Sequence, residues 1–430
     1  MKFKVINFGC KVNTYESTYL EEKFIENNLT EASSIEDADL LVINTCSVTN
    51  MADQKCKKMI RRIRRENPNA IIVATGCSVQ NNFDTYKEYG LNILVDNFHK
   101  GEIYDLVKKY QGTKENIYLY SSNRNQKFEN MLLEKYTKHT RAFIKIQDGC
   151  DNFCSYCVIP LVRGSIRSKD FDEVIKEANI LANNGHKELV LVGIHTGSYN
   201  SNGKDLVDLI NELSKIEKIK RIRISSIEIT ELNDKFMDLL KNNKKIVDHL
   251  HIPLQAGSDE ILKIMNRKYD LKYFEDKINI IRSIRPYINI TTDVIVGHPY
   301  ETEELFDKTL EFCEKISFGK IHVFPYSVRK NTKASTMPNQ VDEVTKKKRA
   351  EKLIRLSDIL MDKYETKFIG KTLDIITELN HKGEIVGFTN NYIKVYVNNP
   401  SGLVQNSLIS VKLIKRDKDY VYADYISSDI

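Results

Sequence analysis

Three apolar runs in the first hundred residues each stop at a cysteine. KVINF (4–8) gives way to Gly9-Cys10, LLVINT (40–45) runs into Cys46, and AIIVATG (70–76) runs into Cys77. Runs that are apolar throughout, not alternately apolar and polar, suit strands buried on both faces. Between them lie helix-like stretches, YESTYLEEKFIENN and the basic segment around KKMIRRIRR. The alternation predicts a parallel sheet covered by helices on both sides, in which ligands gather beyond the carboxyl ends of the strands. The three cysteines fall at that end, with 35 and 30 residues between them. That is about one strand–helix–strand unit each, so adjacent strands would bring them together. The alternative is three buried small hydrophobes.

A second set is denser. CDNFCSYC (150–157) holds Cys150, Cys154 and Cys157, in a chain with eight cysteines in all. Three is odd for disulfides and one ligand short of a four-cysteine zinc site. No His or Cys between 158 and 185 supplies the fourth. A [4Fe-4S] cube on three thiolates leaves one iron open to a ligand that is not protein. No apolar run approaches the roughly 18 residues of a membrane helix, and the amino terminus lacks a signal peptide's apolar core and cleavage site. The expected location is the cytoplasm, where thiols stay reduced and clustered cysteines hold metals. Cys56, in the basic helix, and Cys313, beside Phe312 in an amphipathic one, read as structural. The net charge of +6 leans mildly toward a polyanionic partner.

Three domains are expected. The first, 1–125, is followed by a polar stretch, YLYSSNRNQKFEN, that reads as a linker. The second, 136–366, offers six strand candidates: RAFIKIQDG, ELVLVGI, RIRISSI, DHLHIPL, INITTDVIVG and KIHVFPYS. Helical patterns between them fit a (βα)6 arrangement with its site at the strand carboxyl ends, closed by a long helix from about 341 to 369. The third, 367–430, switches to short alternating strands, the pattern of a small antiparallel barrel.

The Cys150 loop, with aromatic Tyr156 before its last cysteine, resembles the cluster motif of the radical SAM superfamily. HIPLQAGSDEILKIMNRKY (251–269), TTDVIVGHPYETEELFDKTLEF (291–312) and HVFPYSVRKNTKASTMP (322–338) narrow the likeness to the methylthiotransferases, as do GCKVNTYES, NTCSVT and ATGC near the amino terminus. The carboxyl-terminal barrel is similar to a TRAM domain. The resemblance implies an α/β chain: an amino-terminal parallel-sheet domain, a partial (βα)6 radical SAM barrel and a small TRAM-like barrel. It implies two [4Fe-4S] clusters, one radical SAM cluster on Cys150, Cys154 and Cys157 and one auxiliary cluster on Cys10, Cys46 and Cys77. S-adenosylmethionine would contact Tyr156, Gly193, Ser226 and Gln255, with His195 and Ser198 near its amino group. His251 faces the barrel mouth or the core, and Arg163-Gly164 supports the cluster loop or the substrate. His298 and Tyr300 depart from the family's Gly-Phe-Pro-Gly-Glu-Thr, which leaves that turn open. KCKKMIRRIRRENPN is a solvated face or, just after Cys46, a phosphate-binding one through Arg61, Arg62, Arg64 and Arg65.

The same resemblance implies the chemistry. The adenine C2–H bond is unactivated, so sulfur enters by way of a 5′-deoxyadenosyl radical made from S-adenosylmethionine, with the second cluster as sulfur carrier. Lys11-Val12-Asn13 resembles the branch acting on N6-threonylcarbamoyladenosine at position 37 of tRNA, the MtaB group. The isopentenyl-type branch shows Gln-Met-Asn there. Methylthiolation of isopentenyladenosine or of a ribosomal-protein aspartate, and a non-catalytic iron–sulfur RNA-binding module, are the alternatives. The partners expected are the tRNA anticodon stem-loop and a flavodoxin- or ferredoxin-type electron donor, with no membrane and a monomeric chain.

Overall fold

The computed structural model describes residues 1–47, 50–135, 140–398, 400, 402–418 and 420–428. The expected second-domain start at 136 and the chain end at 430 lie outside the described residues. Strands β1 (Lys2–Asn7), β2 (Thr30–Glu31), β3 (Leu40–Thr45), β4 (Ile71–Gly76), β5 (Ile93–Val95) and β6 (Ile117–Leu119) form one parallel sheet in the order β2-β1-β3-β4-β5-β6. Successive side chains of a strand alternate between faces. Leu40 and Val42 therefore pack against Leu20 and Phe24 of α1 (Lys11–Glu26) and Ile103 and Val107 of α5 (Ile103–Thr113). Leu41 and Ile43 pack against Ile60 and Ile63 of α2 (Asn50–Glu66) and against Val79 and Tyr86, from the short helices α3 (Cys77–Asn81) and α4 (Phe83–Lys87). Both faces are covered, as the unbroken apolar runs require.

The six expected barrel strands all form. Ala142–Lys145, Glu188–Val192 and Arg221–Ile224 make one parallel sheet, and His249–His251, Asn289–Val296 and Lys320–Pro325 make another. A bridge between Ile222 and Ile246 joins the halves. The first and sixth strands do not pair, so the (βα)6 barrel is open on one side. The helix Glu343–Thr366 closes the unit.

The stretch read as a linker, 118–130, is tethered to the barrel unit at Arg124, whose carbonyl accepts from the Ser165 N–H (3.1 Å) and whose Nε donates to the Pro160 carbonyl (3.0 Å), and it leads into a docked segment. Met131 and Leu133 are buried, and the Met131 carbonyl oxygen accepts from Tyr15 Oη of α1 (2.6 Å) and from Lys169 Nζ (2.7 Å). The polar side chains of 118–130 concealed these two apolar anchors.

The last strands close into a five-stranded barrel, antiparallel except where Lys394–Asn398 and Val421–Ser428 run parallel. It docks on the amino ends of the (βα)6 strands. Arg221 donates to the carbonyls of Phe388 (2.9 Å) and Asp374 (2.7 Å), and Asn289 donates to that of Asn391 (2.9 Å). The cysteine loop lies at the other end.

Candidate metal centre

After the first barrel strand the chain reaches Gly149, with φ +74°. A Cβ there would stand 2.0 Å from the Ser165 carbonyl oxygen, so no side chain fits. The turn delivers Cys150, Cys154 and Cys157 into a loop clamped by the distant motifs of the sequence. The Cys150 N–H donates to Gly164 O (3.1 Å), Ser155 N–H to Met265 O (3.0 Å) and Ala334 N–H to Ser155 O (2.7 Å). Asn266 Nδ2 donates to the carbonyls of Asn152 and Phe153 (3.2 and 3.1 Å). His298, one of the departures, is fully buried and pairs with Ser155 Oγ (3.1 Å); burial lowers its pKa to about 4, so it is neutral there. Tyr300, the other, takes the left-handed φ of +70° that glycine adopts freely, a strained choice for a bulky side chain.

Cys10, Cys46 and Cys77 follow β1, β3 and β4. The order 2-1-3-4 reverses between β1 and β3, and that switch point is where doubly wound sheets open a crevice. Gly9, at φ +114°, sits so close that an added Cβ would lie 2.8 Å from both Cys46 Sγ and Cβ. Asn13 ties two of these turns, donating to the carbonyls of Phe8 (2.8 Å) and Thr45 (2.9 Å). Cys56 is buried in α2, next to this set.

A buried ion network joins the two sets. Arg163, fully buried, donates through Nε to Cys77 Sγ (3.2 Å), through Nη1 to Glu16 (2.9 Å) and Asp148 (3.1 Å), and through Nη2 to Asn13 (2.7 Å). Lys100 and Lys145 also bind Glu16, and Lys145 and Arg167 bind Asp148. Burial opposes the charge on Arg163, and Asp148, Cys77 and Glu16 outweigh it. Burial likewise works against the Glu16 carboxylate, which its three cations hold well below the usual range. Four cations thus face two carboxylates beside Cys77, and a third, Glu129, has its pKa raised to about 7 by burial. The surplus is positive. Sequence reading missed Glu16, Lys100, Lys145 and Asp148; the signals were Lys145 and Asp148, charges within the run RAFIKIQDG.

A cavity of about 190 Å³ lies between the two sets. Ser47, next to Cys46, lines one wall, and Tyr156, Cys157 and Gln255 line another, with Asp293, Ile295, Phe324 and Arg329 completing it. Gly193 and Ser226, just past the second and third barrel strands, do not line it. Gly193 packs against Gln147, whose Oε1 accepts from the His195 N–H (2.7 Å). His195 bridges Cys150 Sγ (3.9 Å) and Glu231 (2.5 Å). Ser198 bonds back to the His195 carbonyl (2.6 Å). Arg267, which sequence reading passed over, donates to Cys154 Sγ (3.4 Å) and pairs with Glu228.

The arginines of α2 are not near the cysteines. They lie 11 to 15 residues past the start of the helix, about 17–22 Å along its axis. Arg64 is tied down there by the carbonyl of Gly90 and by Asn92 Oδ1 (3.0 Å), at the amino edge of the sheet. It belongs to the fold, leaving Arg61, Arg62 and Arg65 exposed. Changing those three to Gln should weaken tRNA binding and flatten its salt dependence, by a slope of roughly one per lost contact. Single-turnover sulfur transfer at saturating tRNA should be unchanged; an unaltered slope would return this run to a solvated face.

Among the described residues, no group of three or more His, Cys, Asp or Glu side chains stands ready-made for a metal ion. The donors and their surroundings nevertheless fit iron–sulfur clusters. Burial pushes the Cys157 thiol up to about 12, and the neighbouring Cys154 and Cys150 push the same way, a state that metal binding relieves by taking the thiolates. The positive surplus beside Cys77 suits a three-thiolate cluster, which carries net negative charge.

A family model for the radical SAM superfamily matches residues 144–313, and one described as uncharacterized protein family UPF0004 matches 2–95. The threonylcarbamoyladenosine tRNA methylthiotransferase MtaB of Bacillus subtilis is 39% identical over 97% of this chain and 95% of its own. The chain belongs to the radical SAM methylthiotransferase family. A tRNA-2-methylthio-N(6)-dimethylallyladenosine synthase of Rickettsia rickettsii is 31% identical over 96% of this chain and 97% of its own. Among solved structures, the radical SAM methyltransferase TsrM of Kitasatospora setae, with cobalamin and a [4Fe-4S] cluster bound, matches with a TM-score of 0.57 over 78% of this chain and 77% of that one, at 13% identity, a likeness of fold alone. As a family member the chain is an enzyme that uses [4Fe-4S] clusters and S-adenosylmethionine. No helix among the described residues is long and apolar enough to cross a membrane.

Proposed function

We propose that this enzyme methylthiolates C2 of N6-threonylcarbamoyladenosine at position 37 of tRNA. The observation that carries it is the cavity with Ser47, beside Cys46, on one side and Cys157 on the other. A base seated there stands between the two cysteine sets. The names of the relatives support the nucleoside: MtaB proteins of Bacillus subtilis and Aquifex aeolicus reach 39% and 37% identity, against 31% for the dimethylallyladenosine synthase of Rickettsia rickettsii.

Cys150, Cys154 and Cys157 would hold the radical SAM cluster, and Cys10, Cys46 and Cys77 the auxiliary one. When bound, the clusters and S-adenosylmethionine supply the methyl, sulfur and radical chemistry. The chain's own residues orient and exclude. Tyr156 and Gln255 would flank the cofactor's nucleoside, and the Gln255 N–H, at φ +67°, donates to the Asp293 carbonyl (2.8 Å). Ile295 and Phe324 give the base an apolar wall. Position 37 lies in a single-stranded loop, so extruding its base costs less than it would in a duplex. A flavodoxin- or ferredoxin-type protein donates the electrons, and the chain acts as a monomer.

The test is to express the chain in a host lacking the activity and digest bulk tRNA to nucleosides for mass spectrometry. The 2-methylthio-N6-threonylcarbamoyl nucleoside should appear, with the isopentenyl one untouched. A gain in the isopentenyl nucleoside, or in a ribosomal aspartate, would overturn the substrate and leave the family standing.

A further inference from the structure

Below the cavity the inner face of the open barrel is polar. Asp293 lines the cavity and pairs with His251 Nε2 (3.2 Å). His251 and His249 each meet Thr291 Oγ1 (2.9 Å), and the His322 ring lies 5.6 Å from that of His251. Deeper in, Arg223 pairs with Glu188 (2.8 Å) and Arg141 with Glu378 (2.9 Å), both stacked on Tyr392 of the last barrel. Such a wall suits a polar extension of the base and is wasted on a branched hydrocarbon, whose burial calls for apolar neighbours.

Lys11 enters this lumen from the amino-terminal domain. It is the first residue of α1, directly after Cys10, and its ammonium lies within electrostatic reach of Tyr392, Arg141, Arg223 and Asp293, and of His249 and His322. It retains solvent access, as does His322. The other strong cations here, Arg141 and Arg223, have a carboxylate of their own, and Asp293 is shared with His251. Among the described residues the Lys11 ammonium has no hydrogen bond or ion pair. Of the lumen cations named here, it is the one without a carboxylate of its own.

With threonylcarbamoyladenosine as the substrate, as proposed above, we infer that Lys11 reads the free carboxylate of its threonyl group and so sets specificity. The substituent on N6 would run down the polar lumen while the ring stays between the cysteine sets. Isopentenyl carries no charge for the ammonium to meet, so the contact favours the threonyl substituent over it. Lys11 is thus a specificity-determining residue at the point where the amino-terminal domain meets the barrel.

The test measures equilibrium binding of the reconstituted holoenzyme to anticodon stem-loop RNAs. One carries threonylcarbamoyladenosine at position 37, a second carries its threonyl methyl ester, and a third carries plain adenosine. A charge-assisted contact predicts that the wild type prefers acid over ester by about ten- to a hundredfold. Lys11→Gln should shrink that preference to about threefold or less, with unchanged iron content and unchanged affinity for the plain RNA; Lys11→Arg should keep most of it. Equal binding of acid and ester by the wild type overturns the inference without any variant, and so does an undiminished preference in Lys11→Gln. Methylthiolation of isopentenyl RNA and not of the acid RNA would instead defeat the substrate reading, an outcome seen in the product and not in the ester comparison.

Discussion

Replacing Cys150, Cys154 and Cys157 together by alanine is expected to halve the iron of the anaerobically reconstituted protein, from about eight atoms per chain to about four, and to abolish 5′-deoxyadenosine formation. Replacing Cys10, Cys46 and Cys77 should halve the iron too, but leave S-adenosylmethionine cleavage running uncoupled from sulfur insertion. The asymmetry follows from position. The first set ends a (βα)6 strand and its loop is held by Met265, Asn266, Gly164 and Ala334, all in the same unit. The second set rests on the turns after β1, β3 and β4, and loses only its own donors when these are removed. Iron analysis and chromatography of the cleavage products read both results. Full iron in the second triple variant would show that Cys10, Cys46 and Cys77 hold no cluster.

The second large effect is expected at Arg163. Its guanidinium is buried and satisfied by Cys77, Glu16, Asp148 and Asn13, side chains from both domains. Arg163→Gln keeps part of the hydrogen bonding but leaves Glu16 and Asp148 short of a cation. Removing one partner of a buried ion pair costs about 3–5 kcal/mol, much of it from the charge left behind. Thermal unfolding of the reconstituted protein should therefore fall sharply. The auxiliary cluster should also shift to a lower reduction potential, because a positive charge beside Cys77 favours the more negative, reduced form. Arg163→Lys should restore part of the stability, though a lysine cannot reproduce the forked contacts. An unchanged potential in a folded, iron-replete Arg163→Gln protein would reduce this residue to packing alone.

Much of the candidate site could be proposed before any fold was known, because it is written in short-range spacing. Strands that end in Cys10, Cys46 and Cys77, and thiols three and four residues apart, are properties of neighbours along the chain. So is the change of hydrophobic period that separates the (βα)6 strands from the final barrel. The arginine run misled for the same reason. Its position in the sequence, just after Cys46, suggested proximity to the cluster, but a helix rises about 1.5 Å per residue and carries its later residues away from where it starts. The polar stretch 118–130 misled likewise, since it hid that Met131 and Leu133, just after it, are buried anchors.

Only the tertiary structure decided where charges sit. Glu16 and Arg163 are 147 positions apart, and nothing in either segment marks the other as its partner. Whether a carboxylate or a guanidinium is buried depends on partners that folding brings from elsewhere, because a lone charge in a low-dielectric interior is prohibitive and a matched one is tolerable. The same holds for Lys11. Its sequence neighbours tie it to the Cys10 turn, but its surroundings are Tyr392, Arg223 and Asp293, from two other domains. Spacing along the chain can single out candidate metal ligands, whereas the balance of charge around them exists only once the three domains are packed.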